Sequence, residues 1–371
     1  MKKYRIAYLV YGLFNGGVES FLYNYLSNMN LEDFEITIIT QSKSEKSCKE
    51  QFEKLGAKVY EVPTKKKVFK YFKAVSRILK NRKCNIIHSN MGFSNFFPNL
   101  IAKVCGVDIR ISHSHIYRND RLNCKEKILR FLNLKVSNYY FACGEKAGEY
   151  LYGKNKEFEV IYNSIDIEKY KFSIKKRNEM KEFFSFEEKN VYGNVGRFDF
   201  QKNQVFLLEI FNGILSHDKN AHLLIIGGEG DREKLIEEKI RELNISNNVT
   251  ILKNRKDVND LYQVMDVFLL PSLYEGFPVV AIETQTNGLY TIMSDTVTKE
   301  AKISDKGMYI SLSNKEEWIN EALKYIEKSK DLKKRQDDFD KIKYSIFNIK
   351  NSAIKLEKIY KKLYEERIKD E

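Results

Sequence analysis

Short apolar runs alternate along the chain with stretches whose apolar residues recur every three or four positions. Arg5 to Val10, Phe34 to Thr40, Lys58 to Val62, Asn85 to Ser89, Asp108 to Ser112 and Tyr139 to Cys143 have the length and composition of buried strands. Between them the spacing predicts helices from about Val18 and over about 44–55, 66–81, 93–104, 124–136 and 144–152. The rhythm stops around Ile161 to Asp166, and Lys169 to Lys189 is polar and charged, so a domain junction is placed there. A second alternation follows, with strands Val191 to Val195, His222 to Ile226, Val249 to Leu252, Asp266 to Leu270, Tyr290 to Ser294 and Met308 to Ser311. Helices are predicted from about Gln204, from about Arg232, at Val258 to Met265 and after Pro278, and from about Asn314 to the chain end. Repeated strand and helix alternation predicts an α/β chain with two Rossmann-like, doubly wound domains, at 1–168 and 187–345, and C-terminal helices. Ligands of such sheets bind beyond the carboxyl ends of the strands, and two units facing across a cleft would enclose them.

The most informative stretch is Pro271 to Glu283, where a buried strand, a small-residue loop and a helix opening at Pro278 follow one another. A helix entrance of this kind offers backbone N–H groups and a positive dipole end to an anion. Eight residues of helical rise would set Glu275 and Glu283 about 12 Å apart, beyond the roughly 5 to 9.5 Å of a glycoside-cleaving carboxylate pair, so they read as positioning groups. The plain alternative is an ordinary strand-to-helix connection with two solvated glutamates. Upstream, Gly196-Arg197-Phe198 leads to Lys202 at another helix entrance, a planar fork and a point charge suited to a diphosphate. Gly227-Gly228-Glu229-Gly230 forms a further glycine turn, and Gly16-Gly17 opens the first helix without making the dinucleotide-binding fingerprint.

Composition narrows the class. The chain has 371 residues, 43% hydrophobic and 31% charged, with 4 Pro, as expected of a globular protein of two or three domains. Its five cysteines, Cys48, Cys84, Cys105, Cys124 and Cys143, are widely spaced and suggest neither a disulfide framework nor a zinc site; a reducing cytosol is expected. Residues 1–14 imitate a signal peptide but lack a cleavage site, and no run of 18 apolar residues occurs. A net charge of +13 leaves nucleic acid, an anionic membrane surface or anionic substrates open, so its location matters. Lys65 to Lys83 holds nine Lys or Arg and no acid, with Val68, Phe69, Phe72, Val75, Ile78 and Leu79 on one helical face. That is a basic amphipathic helix, whose Lys66, Lys70, Lys73 and Lys80 could meet acidic lipid; the alternative is a solvated helix packed on its sheet. A second basic patch is Arg118, Arg121, Lys125, Lys127 and Arg130. His113 and His115 follow a strand end, either as surface histidines or as polar contacts to a ligand; with no third ligand nearby they are no metal site.

Asn163-Ser164-Ile165-Asp166, Gly196-Arg197-Phe198 with Lys202-Asn203, Gly228-Glu229-Gly230, Asp266 to Ser272 and Glu275-Gly276-Phe277-Pro278 through Glu283 occur in that order over nearly the whole chain. Together they resemble the retaining nucleotide-sugar glycosyltransferases of the GT-B fold, family four (glycosyl transferases group 1). The Ser112 to His115 stretch, Ser294 to Glu300 and the Gly16 to Glu19 turn are similar to its bacterial capsule and exopolysaccharide branch. The resemblance implies that Arg197 and Lys202 bind the diphosphate, that Glu283 takes the ribose hydroxyls, and that Glu275 with Gly276, Phe277, Pro278 and Val279 holds the donor sugar. It also implies base contacts from Lys253, Asn254 and Arg255, donor contacts from Gly228 and Gly230, closure of Gly16 and Gly17 over the distal phosphate, and a sugar contact from His115 or His113. The N-terminal domain would bind the acceptor, and helix 346–371 would pack back toward it. Ser164, Lys253 and Tyr290 depart from the pattern, where the family usually has Gly, Gly and Pro; Lys253 leaves the base open.

The expected reaction transfers a hexose or N-acetylhexosamine, with retention, from a nucleotide sugar, a UDP-sugar by the resemblance, to a lipid-linked saccharide acceptor. The leaving phosphate would help take the acceptor's proton. The cations come from side chains, so no metal and no obligatory cofactor is expected. The expected place is the cytoplasmic, inner face of the membrane, docked peripherally through Lys66, Lys70, Lys73, Lys80, Arg118 and Arg121. Two rivals are a nucleotide-sugar epimerase or phosphorylase of the same architecture and a basic nucleic-acid-binding protein. No helix-turn-helix, zinc-finger or RNA-recognition signature supports the latter, and no nucleic-acid partner is expected.

Overall fold

The structure is a computed structural model that describes residues 4–14, 16–228, 230–337 and 339–369. Asn15 and Glu229, each inside a predicted glycine turn, lie outside the described residues. The chain forms two compact units, Met1–Ser164 with Ile349–Glu371 and Ile165–Asn348.

The first unit is built on a sheet of β1 (Tyr4–Val10), β2 (Phe34–Thr40), β3 (Lys58–Glu61), β4 (Ile86–Ser89), β5 (Ile109–Ser114), β6 (Tyr139–Ala142) and β7 (Glu159–Val160). Its strands run parallel in the order β3-β2-β1-β4-β5-β6-β7. The second unit holds β8 (Asn190–Val195), β9 (Ala221–Gly227), β10 (Val249–Lys253), β11 (Val267–Leu270), β12 (Tyr290–Ser294) and β13 (Gly307–Ile310). It repeats the arrangement, in the order β10-β9-β8-β11-β12-β13. Both sheets are covered on two faces, which is why central strands such as Val267-Phe268-Leu269-Leu270 are apolar throughout and wholly buried. In each order the chain reverses direction across the sheet once, between β1 and β4 and between β8 and β11. Loops diverge at such a point and leave a crevice at the carboxyl ends of the two strands.

Four features differ from the sequence reading. β5 runs on through Ser114, paired with β6, so His113 is a strand residue and does not follow the strand's end. The two-residue β7 was too short to show periodicity. Residues 165–186 belong with the second unit: they fold into the helix Ile174–Phe184, whose buried Arg177 donates to Asp266 at 2.5 Å and to the carbonyls of Gln263 and Met265. The helix expected from Asn314 onward is four helices, Lys315–Ser329, Leu332–Asp337, Phe339–Lys343 and Ile349–Lys369. Lys330 to Lys343 is too charged to carry an apolar stripe, and Arg335 turns inward there to bond backbone carbonyls of the core.

The last helix is part of the first unit's core. Ile349, Ala353, Leu356, Tyr360 and Leu363 pack with Tyr8, Tyr25 and Phe34, while Lys361 reaches Asp33 at 2.6 Å.

Candidate active site

In the second unit the loops after β8 and β11 meet and bring Lys202 onto Glu275. Lys202, at the end of the short turn Phe200–Lys202, folds back to Glu275 with Nζ 2.6 Å from Oε1; Gln201 Nε2 donates to Oε2 at 2.9 Å. The carboxylate of Glu275 is 5% exposed, so a charge there needs both partners. Backbone bonds fix the same two loops: Leu273 N–H donates to Gln201 O at 2.8 Å, and Asn203 Nδ2 donates to Pro271 O at 3.1 Å. The Ser272 carbonyl is held by Ser294 Oγ at 2.5 Å and Thr296 Oγ at 2.9 Å. Arg197 has 69% of its side chain exposed and, among the described residues, pairs with Asp199 at 3.0 Å. An exposed cation and a buried one thus stand five residues apart.

The glycine turn after β9 serves this loop. A Cβ on Gly230 would lie 1.9 Å from the Phe198 carbonyl oxygen and one on Gly227 2.4 Å from that of Gly196, so only glycine lets the two loops touch. Gly228 faces the side-chain amide of Asn254, which a Cβ would have to push aside. Lys253 pairs with Glu233 and, at 3.6 Å, with Glu237, and Arg255 grips Asp257 at 2.8 and 2.5 Å. These two cations are turned to acids of their own unit.

Beyond the loop, Phe277 is buried on Phe347, Pro278 occupies the position before the helix, and no side chain caps Val279–Thr286. The helix therefore begins only four residues before Glu283, and the 12 Å separation expected from eight residues of helical rise does not apply. Tyr170 OH and Tyr262 OH donate to Glu283 Oε1 and Oε2 at 2.9 and 2.6 Å.

In the first unit the crevice between β1 and β4 is lined differently from expectation. Tyr11 OH donates to Met91 O at 3.1 Å and to Ser94 Oγ at 3.0 Å, and Lys65 reaches the same Ser94 and lies 5.2 Å over the Tyr11 ring. Lys65, counted with the basic helix, is therefore a crevice residue. Gly16 precedes the helix Gly17–Asn28 in extended backbone, and among the described residues a Cβ on Gly17 would meet nothing within 4 Å. Glu19 bends back to the Phe14 and Glu19 backbone N–H groups, so a phosphate at this helix start would have to displace a carboxylate.

His113 is wholly buried, which removes the surface reading for it. Its Nδ1 lies 2.9 Å from His88 Nε2, His88 Nδ1 lies 2.6 Å from Tyr360 OH, and Tyr360 OH lies 2.9 Å from Tyr8 OH. His115 lies against His113 with ring centres 4.0 Å apart and planes tilted by 32°, and bonds Asn90 Oδ1 at 2.9 Å. Burial holds His88 and His113 well below the usual histidine range and His115 down at about 3, so all three rings are neutral near pH 7. Arg118 is tied to Tyr150 OH at 2.8 Å, to Glu126 and to Asp120 at 3.3 Å; Arg121 is exposed.

The basic helix Val68–Asn81 buries Tyr71, Val75 and Leu79. Val68 and Phe69, expected on its packed face, are instead 55% and 90% exposed beside Lys66, Lys67 and Lys70. Among the described residues no helix is long and apolar enough to cross a membrane.

Residues 175–344 match the family described as glycosyl transferases group 1, and residues 15–169 match glycosyltransferase family 4. A Bacillus subtilis protein named as the glycosyltransferase EpsF is 29% identical over 312 residues, 80% of each chain. An Escherichia coli UDP-Gal:alpha-D-GlcNAc-diphosphoundecaprenol alpha-1,3-galactosyltransferase is 23% identical over 66% of this chain and 67% of its own length. Among solved structures, Anabaena HepE in complex with UDP and glucose superposes with a TM-score of 0.80 at 15% identity, over 95% of this chain and 98% of that one, a likeness of fold.

Proposed function

The chain belongs to the group 1 glycosyltransferases of the GT-B fold, and from that premise we propose that it moves a hexosyl or N-acetylhexosaminyl group, with retention, from a UDP-sugar to a lipid-linked saccharide in capsule or exopolysaccharide synthesis. The observation that carries the proposal is the pair of loops after β8 and β11 in the second unit, where Lys202 is fixed on Glu275 and Arg197, paired with Asp199, is 69% exposed. Glycosyl transfer builds negative charge on the departing diphosphate, and preorganised donors aimed at that charge lower the barrier most effectively. Arg197 supplies two parallel N–H groups; Lys202 retains donors beyond the one given to Glu275. Glu275 orients Lys202 and, with the Gly276 to Val279 backbone, meets the sugar; Glu283 takes the ribose. The departing phosphate accepts the acceptor's proton on the face it leaves from, so no separate base and no metal ion is required. UDP as carrier and a diphospholipid as acceptor are supported by what HepE binds and by what the E. coli relative acts on. Neutral His113 and His115 serve as hydrogen-bonding rings and not as cations. A screen of radiolabelled nucleotide sugars with membrane extract tests the proposal: label passing from one UDP-sugar into the lipid fraction supports it, whereas donor consumed or epimerised without a labelled lipid refutes it.

A lipid-linked acceptor would present its head group at the cytoplasmic face of a membrane, and we propose that the protein works there. We expect the segment around Val68–Asn81 to dock there, since Phe69 is exposed among Lys66, Lys67 and Lys70. Each Lys near an anionic surface contributes about 1 kcal/mol, so three or four give weak, reversible attachment. Salt should weaken it, because the Debye length falls from about 10 Å at 0.1 M to about 3 Å at 1 M. In liposome cosedimentation the variant with Lys66, Lys70, Lys73 and Lys80 changed to Gln should lose most of its binding to anionic vesicles. Equal binding by both proteins, or binding indifferent to lipid charge, would reduce the segment to a solvated face.

A further inference from the structure

Glu283 is held by two residues that lie outside the Pro271 to Glu283 stretch. Tyr262 is wholly buried in the helix Val258–Val264, and Tyr170 closes the short turn Ile167–Tyr170 that follows the first unit's last strand. Their backbones are fixed as firmly as their hydroxyls. Asn287, which caps the C-terminal end of the helix that carries Glu283, donates Nδ2 to Tyr170 O at 2.8 Å. Arg335, itself buried, donates to Tyr262 O at 2.8 Å and to both the side chain and the backbone carbonyl of Asn287. One arginine thus sets Tyr262 and Asn287, Asn287 sets Tyr170, and the two phenols meet on one carboxylate.

Both phenols are pushed far above the usual tyrosine range, by burial first and then by the Glu283 charge, so each remains a donor. Burial raises the Glu283 carboxyl; the hydroxyls of Tyr262 and Tyr170, and then Lys202, pull it back toward the ionised form. A carboxylate has about four acceptor directions, two on each oxygen. One tyrosine on each oxygen leaves one direction on each, a spacing that suits two adjacent hydroxyls.

We propose that Tyr170 and Tyr262 are positioning residues that hold the Glu283 carboxylate with one acceptor direction left on each oxygen for a vicinal diol, and so set this chain's preference for ribose over deoxyribose in the donor nucleotide. The inference rests on the reading of Glu283 as the ribose contact.

The test is calorimetric binding of UDP, GDP and ADP, followed by the 2′,3′-dideoxy form of whichever binds most tightly. Wild type should prefer the ribonucleotide by about tenfold to a hundredfold, the scale of a lost hydrogen bond to a charged group. Glu283→Gln should cut that ratio severalfold or more. Tyr170→Phe, Tyr262→Phe and the double variant should also lower it, while their affinity for the dideoxy nucleotide stays at the wild-type value; a merely structural defect would weaken both ligands together. Tyr170→Phe, at the partly exposed position, keeps the test available if the buried Tyr262→Phe does not fold. The acid limb of ribonucleotide binding should move upward in pH in the tyrosine variants. Without the hydroxyls Lys202 is left as the group that holds Glu283 ionised, and the carboxylate protonates at higher pH. A ratio lowered by Glu283→Gln but unchanged in both tyrosine variants overturns the inference and leaves Glu283 as the ribose contact. A ratio unchanged in Glu283→Gln overturns that contact and the inference with it.

Discussion

Replacing Lys202 or Arg197 with Ala should lower kcat by about 100-fold or more, the scale seen when one preorganised donor to a developing negative charge is lost. The two variants should differ in their structural cost. Arg197 is 69% exposed and, among the described residues, paired with Asp199, so its removal should leave stability within about 0.5 kcal/mol of wild type. Lys202 is 13% exposed on a buried Glu275, and its loss leaves that carboxylate with Gln201 alone. Lys202→Ala should therefore cost stability as well as turnover, and Lys202→Ala combined with Glu275→Gln should recover part of the stability but none of the rate. Steady-state kinetics with the donor found by screening, together with thermal melts, separate these effects. Near-normal kcat in both single variants would remove the cationic pair from the reaction.

Asp266→Ala should be among the most destabilising substitutions in the second unit. Asp266 accepts from Arg177 at 2.5 Å and from the Val191 N–H at 2.8 Å, with Lys181 at 3.8 Å. Arg335 lies in the same buried cluster, its guanidinium held well below the usual range by burial and then by Arg177, with Asp266 opposing. Removing the carboxylate leaves three cations enclosed without their anion, and breaking a buried pair costs about 3 to 5 kcal/mol. Urea unfolding followed in the full chain should show that loss, against a change within about 0.5 kcal/mol for Asp231→Ala, whose side chain is 81% exposed. A loss below about 1 kcal/mol for Asp266→Ala would mean that the cluster is already satisfied by backbone carbonyls.

The sheets were legible because each strand buried on both faces is a short apolar run, and each helix carries a stripe at its own period; the helix Cys124–Val136 lies at the predicted residues and is closed by a capping box at Asn123. Arg197, Lys202 and Glu275 were legible as a group because loop motifs mark the strand ends where a switch point collects ligands. What could not be read is most of the side-chain contacts that join distant parts of the chain. Tyr360 reaches His88 across 272 positions and Tyr170 reaches Glu283 across 113, and no periodicity encodes either meeting. Lys65 looked like one more surface lysine until β1 and β4 placed Tyr11 and Ser94 beneath it. Val68 and Phe69 misled in the opposite direction: they share the helical face of Phe72 and Val75, but the first turn of the helix overhangs solvent. A buried arginine such as Arg335 is likewise invisible in a run of charges, since its burial depends on carbonyls supplied by Tyr262 and Met265.

The most direct measurement is the anomeric configuration of the sugar in the labelled lipid product, determined by NMR on material made by the purified protein in the presence of EDTA. Donors supplied by Arg197 and Lys202, with the departing phosphate taking the proton on its own face, predict a product with the same anomeric configuration as the donor, formed at an undiminished rate under chelation. Inversion at the anomeric carbon, or activity abolished by EDTA and restored by Mg²⁺ or Mn²⁺, would contradict that chemistry.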